Sequence, residues 1–447
     1  MTDLVVRGGT VVTPHGVIAA DIAVEDGRIA AIGLELPGGR REIDARGLTV
    51  LPGLIDVHVH FNEPGRTEWE GAATGSRALA SGGGTLFFDM PLNSSPCTVG
   101  GPEFDAKREA LEKASVTDFA LWGGIVPGNR DRMAELAARG VIGFKAFMAD
   151  SGLAEFPRSD DDTVFAAMQE AAHLCLPVAV HAEDGQQVRE LAQRARAAGR
   201  HGIRDYLESR PVAAEVAAIR HAAQMAREAG AKLHIVHISS GSGVAAALEA
   251  RAGGADISIE TCAHYLFFTE EDVLRLGAIA KCAPPLRSAG ECDALRRALL
   301  DGQIDIVGSD HSPAPWSMKT GDDFFAIWGG IAGVESTLGV LLFAPLERIA
   351  AVAAAKPAAR FGISGKGAIA VGNDADFALI DTGRSHAVTK ESLLQRHGLS
   401  PYLGVTFPAT LRRTVLRGQT VFSDGKIVSE SPGRMVQHQN AASGKHA

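Results

Sequence analysis

The 447-residue sequence predicts a (β/α)8 barrel carrying a small β-sandwich domain built from both chain ends. Three observations lead there. Through the middle of the chain, short apolar runs alternate with Ala-rich stretches, the pattern of repeated β/α units around a parallel sheet. Both flanks instead alternate short apolar runs with turn residues. Side chains able to do chemistry recur at the ends of the central runs, where barrel active sites form.

In the first flank, Leu4-Val5-Val6, Thr10-Val11-Val12, Asp21-Ile22-Ala23-Val24 and Arg28-Ile29-Ala30-Ala31-Ile32 are separated by Gly8-Gly9, Pro14-His15-Gly16 and Asp26-Gly27. Asp-Gly between alternating runs is a hairpin signal. The same texture returns in Ala375–Ile380 and Thr414–Phe422, where Asp424-Gly425 closes another hairpin. Neither flank has strands enough for a core of its own. Residues 1–50 and 365–435 are therefore expected to be two halves of one β-domain, flanking a barrel at 51–364.

The eight barrel strands are expected at Leu54–His60, Thr85–Met90, Thr117–Trp122, Gly143–Met148, Pro177–His181, Lys232–Ile238, Asp256–Thr261 and Ile304–Ser309. Helices such as Thr163–His173 and Ala213–Glu228 lie between them. The number and spacing of units fit a closed barrel. A doubly wound open sheet is the alternative, because a strand count alone does not prove closure. Residues 436–447 are polar and aperiodic, and read as a disordered tail.

Composition narrows the function. With 46% hydrophobic and 22% charged residues the chain is an ordinary globular one. Its net charge of −9, without a long basic run, argues against a nucleic-acid partner. Five scattered cysteines (Cys97, Cys175, Cys262, Cys282, Cys292) with no CxxC pair are neither a disulfide framework nor a zinc ribbon, and suit a reducing compartment. The first residues lack the basic flank and apolar core of a signal peptide. The longest apolar region, Ile331 to Ala355, is broken by Glu335 and Glu347-Arg348, which argues against a membrane span. A soluble cytoplasmic enzyme for a small molecule is expected.

The strongest local signal is Asp56-Val57-His58-Val59-His60, at the end of the first barrel strand. Residues i and i+2 of a strand share a face, so His58 and His60 converge as a metal-binding edge. Strand four ends Gly143-Phe144-Lys145-Ala146-Phe147-Met148, strand five Val178-Ala179-Val180-His181-Ala182-Glu183, strand six His234-Ile235-Val236-His237, and strand eight Ser309-Asp310-His311. Lys145, His181, His237 and Asp310 thus share one rim with the His pair. Unpartnered polar groups there would be costly without a function. Burial disfavours the charged form of a lysine, and a neutral amine can take up carbon dioxide to give a carbamate, an oxygen donor able to bridge two cations. On this reading His58, His60 and Asp310 hold one metal, His181 and His237 the other, with the Lys145 carbamate between them. A snorkelling or ion-paired lysine is the alternative.

These residues make the chain resemble the cyclic amidohydrolase branch of the amidohydrolase superfamily over nearly its whole length. Lys356–Gly362, Lys366-Gly367-Ala368-Ile369 and Asp374-Ala375-Asp376 add to the likeness. Within that branch, His60–Glu70, Asp89–Ser94, Lys281-Cys282-Ala283-Pro284-Pro285, Ser309–Pro313 and Trp328–Gly333 resemble the allantoinase family. The resemblance implies hydrolytic ring opening of (S)-allantoin to allantoate in purine catabolism by a hydroxide bridging two metal ions. Asp310 would be the catalytic residue that takes its proton and passes it to the departing nitrogen. It implies zinc first, with Mn, Co or Fe accepting the same donors, and a homotetramer. Substrate contacts fall to Asn62, Asn93, Ala283, Gly329 and Gly330. Dihydroorotases of similar pattern usually carry arginine where Asn62 stands, and hydantoinases and dihydropyrimidinases a tyrosine where Asp150 stands. The alternatives are the same chemistry on a hydantoin or dihydropyrimidine ring, and a metal-free, non-catalytic scaffold homologue.

Other features have blander readings. Ser81-Gly82-Gly83-Gly84 reads as a helix end and turn, and Ser239–Gly243 as a helix entry with a serine cap. His264 is expected to touch substrate or to support the site from behind, and His311 to point away from Asp310. His15, His201, His386, His397, His438 and His446 read as surface residues. Trp316 to Phe325 is a candidate lid.

Overall fold

The computed structural model describes residues 2–429 and 433–438. Short β-rich runs covered on both faces become parallel staves: Leu54–Val59, Gly84–Asp89, Asp118–Leu121 continued by Gly123–Gly124, Phe144–Phe147, Val178–His181, Leu233–Ile235, Ile257–Cys262 and Ile306–Gly308. Each pairs in parallel with the next. The ring closes where Val59 bridges His311 and the His60 amide donates to the His311 carbonyl at 2.8 Å. Closure rules out the open-sheet alternative.

Helices Asp161–His173 and Val212–Ala229 bury Ala-rich faces against the staves, as the apolar periodicity predicts. Ser240 caps helix Gly241–Ala252 by accepting from the Gly243 amide at 2.9 Å. Helix Ala72–Ser81 ends at Gly82, and Gly83 takes φ +88° to turn the chain into the second stave. The apolar stretch after Ile331 breaks into short helices, and among the described residues no helix is long and apolar enough to cross a membrane.

The chain ends build one nine-stranded sheet. Thr49–Pro52 is the seam: it runs parallel to Leu4–Thr13 and antiparallel to Phe377–Asp381, so it stitches the two flanks together. Asp26-Gly27 and Asp424-Gly425 make the expected tight hairpins with positive φ. Residues 436–438 are not part of a loose tail: the Val436 amide donates to the Phe119 carbonyl at 2.7 Å, and His438 is buried rather than on the surface. Its ring fills the space left by Gly362, a gap that sequence spacing could not reveal. His446 and the remaining tail positions lie outside the described residues.

The barrel and the sheet are locked by a buried charge cluster. Lys366 Nζ lies 2.8 Å from Asp118 on the third stave, and 3.0 and 2.7 Å from Asp374 and Asp376. Arg417 also pairs with Asp118, and its amide donates to Asp376 at 2.7 Å. Burial works against the Lys366 charge, but the three carboxylates hold its pKa well above the usual lysine range. The acidic trio is therefore filled by an ammonium. Lys366→Met should leave buried carboxylates uncompensated and cost about 3–5 kcal/mol, read as a lowered denaturation midpoint.

Candidate metal centre

Alternation along the strands brings His58, His60, Lys145 and His181 to the C-terminal rim of the barrel, and Asp310 joins them from just past the eighth stave. The Nε2 atoms of His58 and His60 lie 3.2 and 3.3 Å from Asp310 Oδ1. These three side chains offer ligand atoms within 4.8 Å of one another, a spacing that could hold one cation. His181 Nδ1 and His237 Nε2 approach to 3.0 Å, a second converging pair. The pairs adjoin, with the His58 and His237 ring centroids 5.4 Å apart.

His237 reaches the site by a route that alternation does not give. The sixth stave ends at Ile235, and a left-handed backbone at His237 (φ +41°) turns its ring inward. Asp310 (φ +44°), Asn62 (+63°) and Asn93 (+70°) share this unusual conformation. Such strained residues cluster where the surrounding structure over-determines a functional geometry.

Lys145 lies fully buried on the fourth stave, and its Nζ has no hydrogen-bond partner. Burial lowers its pKa to about 7, against the opposing pull of Glu260 and Asp310. Its charge also acts on His181 and His237, so the amine lies near both converging groups. Burial works against the Asp310 carboxylate, but His58 and His60 hold it well below the usual range. Burial lowers the pKa of His60 and His181, and of His237 most of all, leaving neutral imidazoles. Neutral imidazoles, an ionised carboxylate and an orphaned amine fit a pair of divalent cations, and fit an apolar core poorly.

Three buried carboxylates at this rim escape a sequence reading. Asp56, two residues before His58 on the same face, accepts the His58 and Ser309 amides at 3.1 Å each. Glu183, two residues past His181, accepts from His181 Nε2 at 2.7 Å and from Arg210 at 2.5 and 3.1 Å. Glu260, inside the seventh stave, meets His58 Nδ1 at 2.9 Å. Their i+2 spacing from histidines, or an acid within an apolar strand, was the available signal.

A cavity of about 1030 Å³ opens on this rim. Of the expected substrate contacts, Asn93, Ala283, Gly329 and Gly330 line it. Asn62 does not: it is buried with both amide atoms unpartnered, and its carbonyl accepts the Arg66 amide at 3.1 Å. Gly330 is already committed, its amide donating to the Lys281 carbonyl at 2.7 Å and its carbonyl accepting from Lys319 Nζ at 2.6 Å. A Cβ at Gly330 would overlap the Ser312 carbonyl. His311 points away from Asp310, with Nδ1 accepting the Gly333 amide at 3.2 Å. His264 is buried and does not line the cavity.

The candidate lid is tethered. Lys281 Nζ donates to the Phe325 carbonyl at 3.2 Å and to the Ile327 carbonyl, while Phe325 to Gly330 form one wall of the cavity. Burial lowers the Lys319 pKa to about 8. Lys319→Met removes a charged donor from the Gly330 carbonyl, and amide exchange in residues 325–330 should speed up about tenfold by hydrogen–deuterium exchange, the equivalent of about 1.5 kcal/mol.

A model described as the amidohydrolase family matches residues 49–421. The sequence is 64% identical to an allantoinase of Solibacter usitatus over all of both chains. It is 54% identical to an allantoinase of Rubrobacter xylanophilus over 98% of each. Among solved structures, the L-hydantoinase (dihydropyrimidinase) from Arthrobacter aurescens superposes with a TM-score of 0.95 at 33% identity, covering 98% of this chain and 100% of that one. Fold, rim and likeness agree: the chain belongs to the amidohydrolase family, within the cyclic amidohydrolase branch where the allantoinases lie.

Proposed function

We propose that the chain is an allantoinase, which adds water across a ring amide of allantoin to give allantoate. The observation that carries this is the full-length 64% identity to a named allantoinase, and the imidazoles, lysine and aspartate buried together at the rim support it. His58, His60 and Asp310 would hold one divalent cation and His181 and His237 the other, with Lys145 between them as its carbamate. When bound, the two cations supply a lowered water pKa and polarise the amide carbonyl. Zinc is the first candidate, and Mn, Co or Fe suit the same nitrogen and oxygen donors.

The protein's own groups do the rest. The amide C–N bond breaks as water adds to the carbonyl carbon, and one proton must travel from that water to the departing nitrogen. Asp310 borders the cavity and is the carboxylate placed to carry it. Main-chain groups of Ala283 and Gly329, and the Asn93 amide, would orient the ring, since Gly330 already has its partners. Asn62, buried and off the cavity lining, then acts by shaping the turn to Arg66, not by touching substrate. We further infer a cytoplasmic homotetramer, an assignment consistent with the five free cysteines for the compartment and testable by light scattering for the assembly.

A hydantoin or dihydropyrimidine substrate is the second reading, favoured by the Arthrobacter hydantoinase likeness. Against it, the position where those enzymes place a tyrosine is Asp150, a solvent-exposed residue whose carboxylate accepts the Gly152 amide at 3.1 Å. Turnover on allantoin, hydantoin, dihydrouracil and dihydroorotate separates the readings. Allantoin is expected to be opened fastest, and an inert allantoin beside rapid opening of another ring would reverse the substrate assignment. Lys145→Ala should lower kcat/KM by roughly 10³-fold or more, about 4 kcal/mol of transition-state stabilisation, with fewer than two metals per chain by elemental analysis. Full activity in that variant removes the carbamate from the scheme.

A further inference from the structure

Glu260 sits within the seventh stave, fully buried, with each oxygen facing donors. Oε1 lies 2.9 Å from His58 Nδ1 and accepts the His237 amide at 3.2 Å. Oε2 lies 2.7 Å from His234 Nε2. The other nitrogen of His234 is 2.8 Å from Ser258 Oγ, whose hydroxyl can donate to it. Trp122 stacks parallel to the His234 ring and Phe361 meets it edge-on, so the ring cannot swing away.

This fixes the protons. A carboxylate oxygen only accepts, so the imidazole nitrogen facing it must carry hydrogen. His234 is then protonated on Nε2 and accepts the Ser258 hydroxyl on Nδ1. His58 holds a proton on Nδ1 toward Glu260, so Nε2, on the Asp310 side of the rim, is the nitrogen left to ligate a cation when one is bound. Neither His60 nor His237 has such a partner on its Nδ1.

We propose that Glu260 is a positioning residue that sets the tautomer of His58 and, through the His237 amide, holds one histidine of each converging group in register. The inference rests on the binuclear reading above. Outer carboxylates that orient a ligating histidine commonly govern metal affinity by about 10- to 100-fold.

The test uses the full chain and Zn²⁺ alone, with affinity read by chelator competition. Glu260→Met removes the acceptor and is expected to weaken zinc binding about 10- to 100-fold. Glu260→Gln should stay within about threefold of wild type. Its amide oxygen still accepts from His58, its NH2 faces His234, and that ring can shift its proton to Nδ1 because Ser258 is free to accept there. A merely structural role would lower the melting temperature of both variants without this split in affinity. Wild-type affinity in Glu260→Met overturns the inference and leaves the binuclear reading intact. A wild-type chain that takes up no zinc overturns that reading, and the inference with it. If Glu260→Met does not fold, nitrogen-15 histidine shifts of the zinc-loaded wild type decide: a proton on His58 Nδ1 supports the inference, and a proton on Nε2 overturns it.

Discussion

Burial of Lys145 without a hydrogen-bond partner is the constraint on which the rim turns. A lysine amine in the middle of a barrel stave loses its hydration and here gains no hydrogen bond in return. Four imidazoles and a carboxylate are buried around it. Such a group of side chains would be expensive in any protein that did not fill the space between them. Elsewhere the barrel buries mainly apolar side chains, and its buried charges are paired, as at Lys366 and Asp118. The cost is concentrated at one end, where cations and a carbamate would offset it.

Rigidity is the second requirement, and the backbone supplies it at some expense. His237, Asp310, Asn62 and Asn93 all adopt left-handed conformations at the rim. Asparagine and aspartate visit that region readily, histidine much less so. What holds His237 there is its amide bonded to Glu260 on the neighbouring stave. Glu183 likewise anchors His181 while being itself gripped by Arg210, which borders the cavity. The donors are therefore oriented by buried carboxylates, and those carboxylates by the staves that carry them.

Much of this was legible in the chain. All eight staves fall where apolar runs bounded by glycine and polar residues place them, because strand length and burial on both faces leave a strong local pattern. His58 and His60 share a face through the period of two, and Lys145 stands out as a charge within an apolar run. Other features were not legible. His438 looks like a tail residue until the groove beside Gly362 is seen to receive it. Asn62 follows the histidine pair closely enough to suggest substrate contact, yet the turn it makes leaves it buried and off the cavity lining. Glu260 reads as one polar residue in a strand, because its three donors come from other staves or from the strand before it.

The sequence by itself determined the succession of β/α units, the flanking strands that need one another, and the residue types of the candidate metal-binding set. Those properties depend on local periodicity and on chemistry carried by each side chain. Only the tertiary structure decided that the ring closes through Val59 and His311, that His237 turns inward against strand alternation, and that Gly330 is already spent on Lys281 and Lys319. Each of those depends on hydrogen bonds between residues far apart in the chain, and such pairings leave no imprint on the spacing of neighbours.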